Sequence, residues 1–345
     1  MKILLVKLGA IGDVVQTAVA LRHYRQQFPE HKVDWLTSNA LAEFIGSMGA
    51  ADHVLSVDER ALVSGSMASR LGALLKTNLS LALAYYSYDE IVTAYSDWRY
   101  RLITASVFWK PHRSFSRSSA RPSPIHHRNR AFEYWRLLSG VDSLPFDIAE
   151  QAHALGDSIL AQNLAESSVL KFTNLPSNYV VVIPGGARNL LRSDDLRRWP
   201  LENYRCLVEH ILKVGRQVVI AGGPADAWVR PALSGLDCID MIGATNLLEM
   251  VHLLNRAEAV VTHDTGPMHL ATMTRTPLLA LFGPTPANAF VPLGRANTVV
   301  LQLGNKIACS PCYDGKGYAK CNHGKCMTGI EVDWVVKEVT RFFET

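Results

Sequence analysis

One local pattern constrains this chain more than any other: a short aliphatic run that ends in a glycine-bearing turn. It appears first as Lys2–Val6, followed by Lys7-Leu-Gly9-Ala-Ile-Gly12-Asp13. It returns at Tyr179–Ile183 before Pro184-Gly-Gly-Ala-Arg188, and at Gln217–Ala221 before Gly222-Gly-Pro224. Two more examples are Ala259–Thr262 before His263-Asp-Thr-Gly-Pro-Met-His269, and Leu278–Phe282 before Gly283-Pro-Thr-Pro286. Runs this short and uniformly apolar read as strands buried on both faces, and strands alternating with helices read as parallel sheets with right-handed crossovers.

Val33–Leu36, His53–Val57 and Ile91–Ala94 extend the first series, with helices expected over Asp13–Phe28 and Asn129–Leu138. Helices over Leu201–Val214, Leu247–Asn255 and Gly266–Thr274 belong to the second. With 345 residues the chain exceeds one ordinary α/β core. The expected fold is α/β: two Rossmann-like domains facing a central cleft, spanning 1–170 and 175–330, with a closing helix in 331–345. The linker is expected within 165–178, where the polar stretch Asn174–Asn178 lies. Ligands in such sheets bind at the carboxyl ends of the strands, so chemistry belongs in the strand-end turns.

Hydrophobic residues make up 48% of the chain and charged residues 19%, a soluble globular composition. No apolar run approaches the roughly 18 residues that span a bilayer. The first apolar run is short and meets Gly9 without a cleavage-like site, so it reads as a strand and the expected location is cytoplasmic. Net charge is only +4, but Trp98 to Arg130 holds eight Arg/Lys, three His and no acidic residue. That field suits phosphate, carboxylate or an anionic membrane face; the plain alternative is a solvated, flexible loop. It lacks the helix-turn-helix or aromatic-platform pattern of a nucleic-acid binder.

In the first turn, Gly9 and Gly12 permit close approach of an acceptor to backbone, and Asp13 can act as general base on a hydroxyl. The plainer role for Asp13 is a favourable charge in the first helical turn. The spacing is not the G-x-G-x-x-G dinucleotide fingerprint, which weighs against a dinucleotide oxidoreductase. In the second series Gly186 offers bare backbone. Arg197, with Arg198 beside it, can grip a diphosphate through bidentate bonds. Asp226 can accept from ribose or an amine, or cap a helix. Asp264 can bind sugar hydroxyls, with Thr265 and Gly266 facing phosphates, whereas His269 also fits a buried structural histidine.

Cys309-Ser-Pro-Cys312 and Cys321-Asn-His-Gly-Lys-Cys326 place four cysteines in a short segment. A disulfide scaffold is not expected in a chain this long. The spacing points instead to a structural metal on Cys309, Cys312, Cys321 and Cys326; spacing alone favours Zn, and a four-cysteine set also suits Fe, while four thiols packed reduced or oxidised in pairs are the plain alternative.

In order, G-x-x-G-D, PGGAR with RRWP, GGP, HDTGPMH and FGPTP resemble the ADP-heptose:lipopolysaccharide heptosyltransferases, glycosyltransferase family 9. The resemblance runs from Met1 to the last helix; D-T-G-x-x-H with R-W-P before it is its most specific part, and 95–130 its least family-like. It implies the GT-B fold and inverting transfer of heptose from ADP-heptose to an acidic glycan acceptor, the lipopolysaccharide inner core, or to a protein. No catalytic metal is implied. It further implies Asp13 as base and Arg197, Asp264, Thr265, Gly266 and His269 around the donor. The family commonly has Lys where Arg197 stands, and Gly-x-Asp-Thr-Gly where this chain has Thr262-His263-Asp264. Acceptor-binding basic residues of the family come from the N-terminal domain, where Arg99, His127, Arg128 and Arg130 are candidates by location. A transferase using another nucleotide sugar, or a non-catalytic nucleotide-sugar-binding protein of the same fold, are the competing readings; transfer of a sugar separates them.

Overall fold

The computed structural model describes residues 1–83, 87–94, 98–107, 109–115, 125, 127–142, 146–186, 195–292, 294–315 and 317–344. Arg188 and most of the basic stretch 114–124 lie outside the described residues. The chain divides into two compact units, Met1–Gln151 and Ala152–Thr345, so the stretch 165–178 expected as linker lies within the second.

The first unit is built from β1 (Lys2–Val6), α1 (Ile11–Gln27), β2 (Lys32–Ser38), α2 (Asn39–Ser47) and β3 (His53–Val57). It continues with α3 (Glu59–Ser64), α4 (Met67–Leu83), β4 (Glu90–Thr93), α5 (Trp98–Ile103), β5 (His112–Ser114) and α6 (Arg130–Ser139). Its sheet has the order β3-β2-β1-β4-β5, every pair parallel. Central β1 is flanked on both sides, and Ile3 to Val6 are fully buried. The unbroken aliphatic run therefore reports a strand covered on two faces, as alternation would not.

After α7 (Ile148–Leu160), in which the division falls, the second unit has α8 (Glu166–Thr173), β6 (Tyr179–Ile183), α9 (Leu201–Lys213) and β7 (Gln217–Gly222). Then come β8 (Cys238–Ile242), α10 (Leu247–Asn255), β9 (Ala259–His263), α11 (Gly266–Thr272) and β10 (Leu278–Phe282). The last elements are β11 (Thr298–Gln302), α12 (Lys325–Thr328) and α13 (Val332–Thr340). The parallel sheet order is β11-β10-β9-β6-β7-β8, and every residue of β6, β9 and β10 is buried. Val180, Val182, Val261, Leu279 and Leu281 join Trp199, Tyr204, Leu207 and Ile211 in one core. Trp199 donates its indole N–H to the Ile330 carbonyl at 2.8 Å, tying the R-W-P turn to the chain's end.

Three strands were not expected from sequence: β5, β8 and β11. All three are sheet edges, and none is uniformly buried.

Candidate active site

In the first unit, the turn after β1 gathers a charged cluster around Asp13. Lys7 continues the buried strand and is itself 1% exposed, its backbone fixed by Trp35, whose indole donates to the Lys7 carbonyl at 3.0 Å. An ammonium that deep needs an anion. Its Nζ reaches Asp13 Oδ2 at 3.0 Å. Tyr134, from α6, donates to the other oxygen, Oδ1, at 2.9 Å. The Thr17 hydroxyl bonds the Asp13 carbonyl at 2.7 Å, steadying the first turn of α1.

Burial alone would raise the pKa of Asp13. The Lys7 charge and hydrogen bond, then Arg130 and Tyr134, outweigh it and hold the carboxylate below its ordinary value. Burial, then the Asp13 charge, push Tyr134 well above its ordinary value, so it stays a protonated donor. The Asp13 side chain is still 35% exposed and can meet a ligand. Each carboxylate oxygen keeps a lone pair beyond these two bonds.

Of the acceptor candidates, Gly9 and Gly12 lie in this turn, and Arg130, the first residue of α6, acts on both Asp13 and Tyr134. Arg128 is engaged with Asp142 and, at 3.4 Å, with buried Glu133. Arg99 is exposed on α5, and its charge acts on Glu59, which also feels Lys7. His127 is exposed at a turn position with φ of 64°. Sequence reasoning missed Lys7 and Tyr134. A lysine extending an aliphatic strand was the available signal for the first; Tyr134 carried none beyond its place on an apolar helix face.

In the second unit, four strand-end turns meet. The Asp226 carboxylate accepts the Gly186 N–H at 2.7 Å and the Gly223 N–H at 2.8 Å, one on each oxygen. It thereby joins the PGGA turn to the GGP turn. A Cβ on Gly185 would stand 2.5 Å from Asp226 Cγ, which is why glycine is required there. Gly186 has φ of +91°, and a Cβ on it would be 3.2 Å from Thr265 Cβ, so the PGGA turn rests against the DTG turn. The two arginines divide their work. Arg198 donates to the Gly186 carbonyl at 3.0 and 2.8 Å and lies 4.8 Å over the Trp228 ring, holding the turn. Arg197 Nη1 lies 3.4 Å from Asp264 Oδ2, an ion pair between the R-W-P and DTG motifs.

His263 is fully buried and bonded to Tyr204 at 3.0 Å. Burial, then Arg197 and Arg198, push its pKa down to about 3, so it is neutral and structural. His269 is buried on α11, its ring 6.4 Å from Phe290. The hydroxyls of Thr265 and Thr285, both 2% exposed, have no hydrogen-bond partner among the described residues. Two buried hydroxyls with unused capacity in adjoining motifs are what a polar ligand needs.

The cysteine segment folds onto the FGPTP turn. Ser310 Oγ donates to the Gly283 carbonyl at 2.8 Å, and the Cys312 and Tyr313 N–H groups donate to Pro284 at 2.9 and 3.0 Å. A Cβ on Gly283 would come 2.5 Å from Met327 and 3.1 Å from Cys326 Sγ. Burial, then Cys312, Cys321 and Cys309, raise the Cys326 thiol to about 11, so the four cysteines lie within electrostatic range of one another. The four-thiolate site expected from spacing is nevertheless not assembled: among the described residues no three potential ligands gather to hold a metal. Cys309 is exposed, and Cys321 Sγ instead sits 3.6 Å from His323 Nδ1. Iodoacetamide at about pH 8, near an ordinary thiol pKa, is expected to modify Cys309 well before Cys326, read by peptide mass spectrometry. Equal protection of all four until a chelator is added would instead reveal a bound metal.

Two all-parallel α/β sheets, one in each unit, are the architecture of the GT-B glycosyltransferases. The model of glycosyltransferase family 9 (heptosyltransferase) matches residues 110–322. The chain belongs to that family. It is similar to lipopolysaccharide heptosyltransferase 1 of Pseudomonas aeruginosa, 26% identical over 329 residues, covering 90% of this chain and 86% of the relative. Its fold is shared with Escherichia coli ADP-heptose lps heptosyltransferase II (TM-score 0.69, 18% identity, 100% of this chain and 99% of that one). The dodecameric iron-containing heptosyltransferase TibC, solved with ADP-D-β-D-heptose, also shares it (TM-score 0.59, 13% identity, 99% and 76%).

Proposed function

We propose that this glycosyltransferase moves heptose from ADP-heptose to a hydroxyl of an anionic lipopolysaccharide inner-core acceptor, with inversion. The observation that carries the mechanism is the Lys7–Asp13–Tyr134 arrangement. Lys7 keeps Asp13 ionised, Tyr134 fixes its orientation, and the exposed part of the carboxylate receives the acceptor's proton. The acceptor oxygen bonds to the anomeric carbon as the bond to the β-phosphate oxygen breaks and ADP leaves with those electrons, and the acceptor's proton passes to Asp13 in the course of that attack. A base this weak takes the proton late, once attack has begun and made the hydroxyl acidic.

Arg197 is the proposed donor-side cation, placed against Asp264, and it offsets charge growing on the leaving diphosphate. The hydroxyls of Thr265 and Thr285 supply donor-binding capacity, and Gly266 and His269 complete that side. Asp226 acts by holding Gly186 and Gly223 in place rather than by meeting the donor. The names of the similar proteins support ADP-heptose and lipopolysaccharide. Among the described residues no helix is long and apolar enough to cross a membrane; the proposed place of work is the cytoplasm, at the surface of the inner membrane that bears the acceptor.

Thermal-shift titration with a panel of nucleotide sugars, then mass-detected transfer to core acceptors, tests the donor. ADP-heptose is expected to stabilise the protein most, and stabilisation by another nucleotide sugar alone would remove the heptose assignment. Arg197→Ala is expected to raise the donor KM about 10–100-fold, the range for losing a charge-assisted hydrogen bond. An unchanged donor KM would take Arg197 out of the site.

A further inference from the structure

Helix α4 presents leucines to solvent where a domain helix carries polar side chains. Its inner face is ordinary: Leu81 is 1% exposed, Thr77 6%, and Leu74 packs on the core of β1 and β4. The outer face is not. Met67 is 78% exposed, Leu71 58%, Leu75 62%, Leu79 64% and Leu83 82%. These residues step by four, a continuous row about 24 Å long at a helix rise of about 1.5 Å per residue. At about 100° per residue, Ala68, Gly72 and Ala82 fall in the same arc, and all three are exposed. Scattered exposed leucines are normal on a protein surface, but a contiguous apolar strip marks an interaction site.

The surroundings identify the partner. The only charges on α4 are Arg70 and Lys76. Asn78 bonds the Leu102 carbonyl at 2.9 Å and the Ser106 N–H at 2.8 Å, fixing the segment from α5 onward beside it. That segment exposes Leu102 by 46% and Trp109 by 73%, and Arg99 and Arg101 are exposed on α5. An apolar strip beside a segment that exposes Trp109, Arg99 and Arg101, with Arg70 and Lys76 on the helix itself and the carboxylate of Glu59 on neighbouring α3 half-buried, is complementary to a sheet of lipid tails beneath anionic headgroups.

We propose that this face of the first unit docks on an anionic phospholipid bilayer, with α4 lying in the plane of the interface and its leucine row inserted. This rests on the proposed association with a membrane surface and names the face that makes it. Arg99 at the rim acts on Glu59, which also feels Lys7, the partner of Asp13. The docking rim and the proposed base therefore belong to one electrostatic neighbourhood, suited to an acceptor embedded in lipid.

The full-length protein is to be sedimented with vesicles of phosphatidylethanolamine, phosphatidylglycerol and cardiolipin, and separately with pure phosphatidylcholine vesicles. Binding to the anionic vesicles, weakened by added salt, and little to the neutral ones is expected. Leu75→Asp with Leu79→Asp is expected to cut anionic binding by at least about tenfold, the loss of two inserted leucines. Leu71→Gln with Leu83→Gln provides a second pair. Both variants are expected to melt like the unmodified protein and to transfer sugar to a soluble, lipid-free acceptor at the same rate. Failure of that transfer in the unmodified protein would count against the transferase reading and leave the docking face standing. The docking proposal is overturned if the unmodified protein stays in solution with anionic vesicles, or if the variants bind as well as it does. It is equally overturned if the leucine row proves to join copies of this chain, shown by an oligomer that the variants dissolve without vesicle binding.

Discussion

Asp13→Asn is expected to lower kcat by about 10²–10⁴-fold, the usual worth of a positioned general base, while the donor's dissociation constant stays unchanged. The amide keeps the shape and the contact with Tyr134 but cannot take a proton. It also leaves Lys7, 1% exposed, without its counter-ion. Breaking a fully buried pair costs about 3–5 kcal/mol; with the Asp13 side chain 35% exposed, about 1–3 kcal/mol is the expected loss. Steady-state kinetics with donor calorimetry separate the two effects, because destabilisation alone lowers the active fraction and leaves the pH profile of the remainder intact. The sign of the pH effect follows from Asp13 being depressed in the folded protein. The pair's contribution to stability is present above the unfolded pKa and is lost as pH falls through the lower folded value. The acid limb of kcat/KM that belongs to Asp13 accordingly lies below its ordinary value of 3.8. In Lys7→Met the burial that opposes ionisation is no longer outweighed by the lysine, and that limb moves to higher pH. A Lys7→Met profile identical to the unmodified one would remove lysine from the mechanism.

The second large effect is expected at Asp226, which makes no proposed contact with substrate. Asp226→Ala strips the acceptor from two N–H groups, Gly186 and Gly223, in turns the side chain now joins. Leaving a fully buried donor unmade costs about 1–3 kcal/mol; both N–H groups here are only part-buried, so the pair falls in the lower part of the doubled range, about 2–4 kcal/mol. For a unit of this size that lowers Tm by roughly 4–15 °C. Loosened PGGA and GGP turns also weaken donor binding, with kcat at saturating donor much less affected. Calorimetry with and without ADP-heptose checks it. A variant that melts normally yet binds donor poorly would make Asp226 a direct donor ligand, as sequence alone allowed.

What was legible in the sequence follows burial. Strands covered on both faces, β1, β6, β9 and β10, are unbroken aliphatic runs and were found within a residue of their ends. The edge strands β5, β8 and β11 are largely half-buried, and their apolar runs are short or interrupted by polar residues. Motif residues were legible because glycine is needed wherever turns approach closely, as at Gly185 beside Asp226. Their division of labour was not, since it depends on contacts far apart in sequence. Arg197 and Arg198 are adjacent, yet one faces Asp264 and the other clamps Gly186. Tyr134 reaches Asp13 from a helix more than a hundred residues away. The exposed row of α4 was missed for a related reason: leucines at helical spacing read as core until the opposite face is seen to be the buried one.

The most direct test is mass-detected transfer from ADP-heptose to a defined inner-core acceptor by the purified protein and by Asp13→Asn. One heptosyl unit added by the unmodified protein, with turnover collapsing in the variant while donor binding persists, is the expected result. No transfer by the unmodified protein when it demonstrably binds ADP-heptose, or near-normal turnover by Asp13→Asn, would contradict the assignment of Asp13 as the base of a heptosyl transfer.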